Sequence, residues 1–159
     1  MISLLKKNMS KNLIERLNEG PVLCAEGYLF AMERRGYLQA GAFVPEVVLE
    51  HPEVLSQLHR EFIRSGSDVI QAFTYYGHRE KLRIIGKENL LEPLQKNALQ
   101  IAKDSRKEFK DLDLMVCGDV ANTNVYDPTD KKSNIECQKM FEEQVAWAKE
   151  AGVDFIVAE

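Results

Sequence analysis

The chain has 159 residues, 45% of them hydrophobic and 29% charged, the composition of about one globular domain rather than of a collagen, a coiled coil or a disordered segment. Its 21 Lys and Arg against 25 Asp and Glu leave a net charge of -4, without the basic excess that a nucleic-acid partner needs. No apolar run approaches the ~20 residues of a membrane-spanning helix, and the first residues lack the apolar centre and cleavage site of a signal peptide. The expectation is therefore a cytoplasmic protein with no nucleic-acid and no membrane partner.

In chain order, an opening helix is predicted around Asn12 to Asn18, closed by Gly20, and a first strand from Val22 to about Phe30. The connection from about Ala31 to His51, with Phe43 and Pro45, exceeds what chain reversal requires and suits a binding loop. Pro52 fits the first turn of a helix with an apolar face of Val54, Leu55, Leu58 and Phe62, and Gly66 suits the position just after its end. A second strand follows from Val69 to Tyr75. The next helix is rooted near Glu92 and Pro93 and carries Leu94, Ala98, Ile101 and Ala102, ahead of a third strand from Leu114 to about Val120. Ser133 with Glu136 makes a capping box before Cys137, Met140, Phe141, Val145 and Ala148, and Ala151 with Gly152 ends that helix. The fourth strand runs from Phe155 to the end of the sequence.

Short β-rich runs alternating with helical spacing predict an α/β fold with parallel strands. Nothing marks an internal boundary or repeat, so residues 1–159 are one unit, either a small open sheet or an incomplete barrel. In such folds reactive groups gather at the carboxyl ends of the strands. Here those ends carry Glu26 with Gly27, then Thr74, Tyr75 and Tyr76, then Asp119 with Asn122, Thr123 and Asn124, and finally Glu159. Each has a plain structural alternative. Glu26 could accept from nearby backbone N–H groups, Asn122 and Thr123 could form a turn, and Tyr75 and Tyr76 would sit on opposite faces of a continuing strand. His59 is expected off the apolar face of its helix and His78 in a solvated loop. Cys24, Cys117 and Cys137 are widely spaced and suit buried free thiols rather than a disulfide framework or a zinc knuckle. No P-loop, G-x-G-x-x-G, G-x-S-x-G or H-E-x-x-H pattern is present.

The run E-G-Y-L-F-A-M-E-R-R-G-Y from Glu26, P-E at Pro45, E-H-P-E from Glu50, L-H-R-E-F from Leu58, A-F-T-Y-Y from Ala72 and D-F-I-V-A-E from Asp154 resembles the homocysteine S-methyltransferase family. The likeness is to its betaine-homocysteine methyltransferase-like branch and spans nearly the whole chain in order. It implies the first four β/α units of a (β/α)8 TIM-type barrel, with homocysteine and a small methyl donor as ligands. It also implies zinc held by three cysteine thiolates, which keeps the homocysteine sulfur deprotonated for attack on the methyl group, giving methionine. In that family the zinc cysteines lie in the second half of the barrel, and Cys24, Cys117 and Cys137 do not occupy the matching places. The metal ligands are therefore expected outside this chain, which would carry no catalytic residue and be inactive alone.

By the same likeness, Glu159 matches the acid that receives the homocysteine amino group, with Glu26 and Gly27 beside it where the family often has Asp-Gly. Tyr76, with Tyr75, matches the aromatic beside the methyl donor, and Phe43 falls where betaine-using enzymes have a tryptophan. Asn122 and Thr123 are further candidates for the site lining. The competing reading is a small-molecule-binding or interaction half-barrel that forms a homo-oligomer or pairs with a complementing carboxyl-terminal half through its sheet edges.

Overall fold

The computed structural model describes residues 11–38 and 45–159. Helix α1 (Leu13–Leu17) opens with a reciprocal cap: Asn12 Oδ1 accepts the Glu15 N–H at 3.0 Å, and Glu15 Oε2 accepts the Asn12 N–H at 2.8 Å. The following segment meets the sheet at one point, where Cys24 bridges in parallel to Val69. From Tyr28 the chain is helical, not extended, as α2 (Tyr28–Arg34). The apolar run from Val22 to Phe30 is therefore split. Tyr28 and Met32 stand four residues apart and are both buried, the spacing of one helical face.

After α3 (Val47–Glu50) comes α4 (Pro52–Arg64), which begins with Pro52 in its first turn and buries Leu55, Leu58 and Ile63. Strand β1 (Val69–Gln71) is shorter than its apolar run, because the chain turns at Thr74, whose N–H donates to the Ala72 carbonyl. Helix α5 (Arg79–Ile84) and a 3₁₀ turn (Glu88–Leu90) lead into α6 (Leu91–Glu108). Then follow β2 (Met115–Val120), α7 (Lys131–Ala151) and β3 (Phe155–Ala158). Asp130, not Ser133, caps α7, accepting the Lys132 N–H at 2.8 Å; Ser133 lies inside the helix and ties its hydroxyl to Asp127. No helix among the described residues is long and apolar enough to cross a membrane.

The three strands are parallel in the order β1-β2-β3, and the Cys24 bridge extends this sheet on the far side of β1. Alternation along the strands sorts side chains to two faces. Ile70, Val116 and Ile156 pack under α4, α6 and α7 with Ile63, Leu99, Ala102 and Ala148. On the opposite face Val69, Met115 and Cys117 meet Leu13, Val22, Cys24, Phe155 and Val157. This is the layer arrangement of α/β folds, with helices closing one face of the sheet.

Two histidines depart from expectation. His59 is buried, its Nδ1 2.9 Å from the Tyr28 hydroxyl, and burial with the Arg60 charge beside it lowers its pKa to about 3. His78 is also buried and caps α5 by accepting the Lys81 N–H, so it is no solvated loop residue. In both cases the ring fills a gap between elements that helix periodicity alone does not reveal.

Two aspartates hold the strands in register from their starts. Leu23 N–H donates to Asp68 Oδ2 at 2.8 Å, and Val116 N–H donates to Asp154 Oδ2 at 2.7 Å. Each aspartate stands two residues after a glycine that ends a helix in the left-handed conformation, Gly66 at φ 103° and Gly152 at φ 71°. The two segments, G-S-D-V-I and G-V-D-F-I, are the same device used twice.

Candidate functional site

At the carboxyl end of the sheet, the open face above Cys24 and Cys117 becomes polar. Gln71 ends β1, Asp119 lies near the end of β2 and Glu159 follows β3. A cavity of about 230 Å³ opens there, lined by Glu26, Gly27, Gln71, Tyr75 and Glu159 and walled by the apolar Leu29, Phe30 and Phe73. Gly27 turns the chain at φ 79° between Glu26 and α2, a conformation that favours glycine, and so sets Glu26 at the rim.

Two sets of hydrogen bonds tie the strand ends together beside the cavity. Gln71 Nε2 donates to Glu159 Oε1 at 2.9 Å, while the Cys24 thiol lies 3.8 Å from Gln71 Oε1. Thr74 Oγ1 donates to the Asp119 carbonyl at 2.7 Å, joining the end of β1 to β2. Asp119 is 3% exposed, and burial, followed by the charges of Glu159 and Glu26, raises its pKa to about 7; hydrogen bonding from Gln71 works in the opposite direction. Its Oδ1 has no hydrogen-bond partner among the described residues. Among the described residues no Lys, Arg or His lines the cavity, and the charged groups found there are the carboxyl groups of Glu26 and Glu159.

Tyr75 and Tyr76 do not point to opposite faces. Their rings lie 4.2 Å apart at 37°, because the strand has already ended and Tyr76 takes a left-handed backbone at φ 59°. Tyr75 lines the cavity, and hydrogen bonding with Tyr76, together with burial, pushes its hydroxyl up to about 12. Tyr76 stands behind it, with the Lys81 ammonium 4.0 Å from its ring centroid.

Among the expected site residues, the structure brings together Glu26, Gly27, Tyr75 and Glu159 around one cavity, with Tyr76 stacked on Tyr75. Asn122 is exposed, and Thr123 is buried with its hydroxyl 3.0 Å from Cys137 Sγ; neither lines the cavity. Phe43 lies outside the described residues. Gln71 and the carboxyl of Asp119 are the functional candidates that sequence reasoning did not assign. Two polar residues ending buried strand runs were the available signal.

The cysteines do not fit a three-thiolate metal centre. The Cys24 thiol donates to the Ala25 carbonyl and to Gln71 Oε1, each at 3.8 Å; the neighbouring Cys117 lowers the pKa of Cys24, while interaction with Cys24, followed by burial, raises that of Cys117. Cys137 is engaged elsewhere with Thr123. Among the described residues no three His, Cys, Asp or Glu side chains converge as a metal ion would need.

Comparison with known proteins adds a relationship to this geometry. The family model described as Homocysteine S-methyltransferase matches residues 13–159. Betaine--homocysteine S-methyltransferase 1 of Bos taurus is 39% identical over 155 residues, covering 96% of this chain and 38% of its own length. The protein of the same name from Danio rerio is 39% identical over 152 residues, covering 94% of this chain and 37% of its own. The chain thus spans well under half the length of these relatives. Among solved structures, the homocysteine methyltransferase MmuM from Escherichia coli in its metallated form aligns with a TM-score of 0.74 at 19% identity. That alignment covers 91% of this chain and 56% of that one, a likeness of fold that places the β/α units in about half of a larger architecture.

Proposed function

Because the chain belongs to the homocysteine S-methyltransferase family, we propose that it forms the amino-terminal half of a methyltransferase barrel and supplies the wall that binds the amino group of homocysteine. The observation that carries this reading is the Gln71–Glu159 pair in a cavity whose charged lining, among the described residues, is carboxyl groups. An amino acid's ammonium finds a carboxylate there, held by an amide that has one N–H committed to it. Glu26 at the rim adds negative potential, and Tyr75, backed by Tyr76, offers aromatic surface to a small methyl donor with a cationic centre, betaine being the donor named in the relatives.

Residues of this chain orient the two ligands but do not activate the sulfur. Its three cysteines are divided between two places, so zinc and the thiolates that would hold it belong to residues outside this chain. The chain alone is accordingly inactive, and a complete enzyme would yield methionine. With all three thiols free, a reducing cytoplasmic setting suits it.

Calorimetric titration of the purified chain with homocysteine tests the reading. Binding should occur and should weaken about tenfold or more in Glu159→Gln, which removes the charged acceptor. Unchanged affinity in that variant, or methionine formed from betaine and homocysteine by the chain alone with added zinc, would sink it.

A second reading, a half-barrel that self-associates or pairs with a complementing carboxyl-terminal half, is supported by β3. Among the described residues β3 pairs only with β2, and Phe155, Ile156 and Val157 are half-buried. Sedimentation velocity over a range of concentrations distinguishes it: a monomer throughout counts against self-association.

A further inference from the structure

Resting on the amine-site reading above, we propose that Asp119, buried behind the cavity-lining Gln71 and Glu159, is a positioning residue, holding a proton in the free protein and releasing it to solvent when a ligand ammonium settles against Glu159. Asp119 is 3% exposed, and an isolated carboxylate in such a place costs far more than a neutral acid. Pairing with a cation would lift that cost, yet among the described residues no cation pairs with it, and Oδ1 accepts nothing.

The charged groups that face Asp119 favour the proton, against hydrogen bonding from Gln71, which favours the ionised form. Glu26 approaches from the segment before α2 and Glu159 from beyond β3, both acids. Cys24, Cys117 and Tyr75 also lie within electrostatic reach of it, and each is pushed toward its protonated form by the Asp119 charge. The raised pKa of about 7 agrees with this arrangement. The same position explains the coupling. A ligand ammonium at Glu159 offsets the negative charge there that most strongly opposes ionisation of Asp119, so binding the cation and losing the proton favour each other.

Gln71 links the two carboxyl groups. Its amide donates to Glu159 Oε1 and also stabilises the ionised form of Asp119. Once Asp119 loses its proton, a charged acceptor draws on the second N–H of the same amide, holding Gln71 between two carboxylates while the ligand neutralises one of them. The atoms balance simply: the O–H bond of the Asp119 carboxyl breaks, its electron pair stays on the carboxylate, and the proton passes to buffer.

The test uses L-methionine, which carries the amino-acid ammonium of the proposed ligand and no thiol to titrate. Calorimetric titration of the full chain at pH 7 in two buffers of different ionisation enthalpy measures protons released per ligand bound. The wild type should release a substantial fraction of a proton, because Asp119, its pKa raised to about 7, is partly protonated at that pH. Asp119→Asn, verified as folded by circular dichroism, should bind methionine and release essentially none. A measurement on the unaltered chain is independent of that variant: the infrared carbonyl band of a protonated carboxylic acid should be present at pH 7 and diminish on adding methionine. Binding without proton release, a band unchanged by methionine, or equal release by Asp119→Asn would each overturn the coupling while leaving the amine site standing. Failure of both homocysteine and methionine to bind at any pH would overturn the amine site itself, and the coupling with it.

Discussion

The two faces of the sheet treat buried polar groups differently. Under the helices, Gln95 donates to the Gly77 carbonyl at 2.6 Å, Asn97 donates to the Val48 carbonyl at 2.6 Å, and the Tyr28 hydroxyl meets His59. On the open face, Asp119 is buried with two carboxyl groups facing it; a buried atom without a partner among the described residues occurs on both sides, His59 Nε2 on the first and Asp119 Oδ1 on the second. The first face uses polar groups to join elements; the second concentrates like charges where they oppose one another. A fold optimised only for stability would not build the second, which is why strain of this kind marks the site rather than the core.

The sharpest way to break the comparison is to remove core from the helix-covered side. Leu55 is fully buried, and Leu55→Ala should cost about 2–5 kcal/mol by chemical denaturation, with a larger effect than any single truncation on the open face.

Next in size is the response to pH, where the two faces pull in opposite directions. His59 is held neutral, with a folded pKa of about 3 against an ordinary 6.5, so it contributes stability present above pH 6.5 and lost as pH falls toward 3. Asp119 has its folded pKa raised to about 7 from an ordinary 3.8, so its contribution is complete below pH 3.8 and lost as pH rises toward 7. Each slope is roughly 1.4 kcal/mol per pH unit, and between about pH 4 and 6.5 they oppose each other. In Asp119→Asn the opposition disappears, and stability should climb with pH across that window; denaturant midpoints measured at several pH values give the slope. A variant as flat as the wild type would refute the opposition.

The smallest effect concerns one hydrogen bond. Tyr28→Phe removes the partner of His59 Nδ1 and should cost roughly 1–3 kcal/mol, the range for leaving a buried polar group unsatisfied. Tyr28 also lines the cavity, but its hydroxyl is engaged with His59 of α4, so homocysteine affinity should change far less than in Glu159→Gln. A loss of affinity equal to that of Glu159→Gln would erase the distinction between the faces.

Much of the fold was legible because its elements are regular. The Pro52 helix, the Leu94–Ala102 face and the third and fourth strands follow from periodicity and helix-end residues, and the structure places them within a few residues of expectation. The first strand was not legible in full, since an apolar run long enough for a strand also carries Tyr28 and Met32 at helical spacing. Of the site, Glu26, Gly27, Tyr75 and Glu159 were visible as polar or aromatic groups at strand ends. The carboxyl of Asp119 was noted only by position. Its significance depends on which neighbours surround it across three strands, and no local pattern carries that information.

The paired use of glycine and aspartate before a strand has a consequence for how the sheet is assembled. Asp68 ties the start of β1 to the segment before it in the sheet, and Asp154 ties the start of β3 to β2, whereas the seam between β1 and β2 opens with the Met115 N–H on the Asp68 carbonyl. The side-chain clasps thus fall on alternate seams, grouping four chain segments into two cassettes that meet through main chain and packed side chains. A cassette that carries its own clasp can be duplicated without inventing a new way to hold register, and a barrel of such strands grows in steps of two.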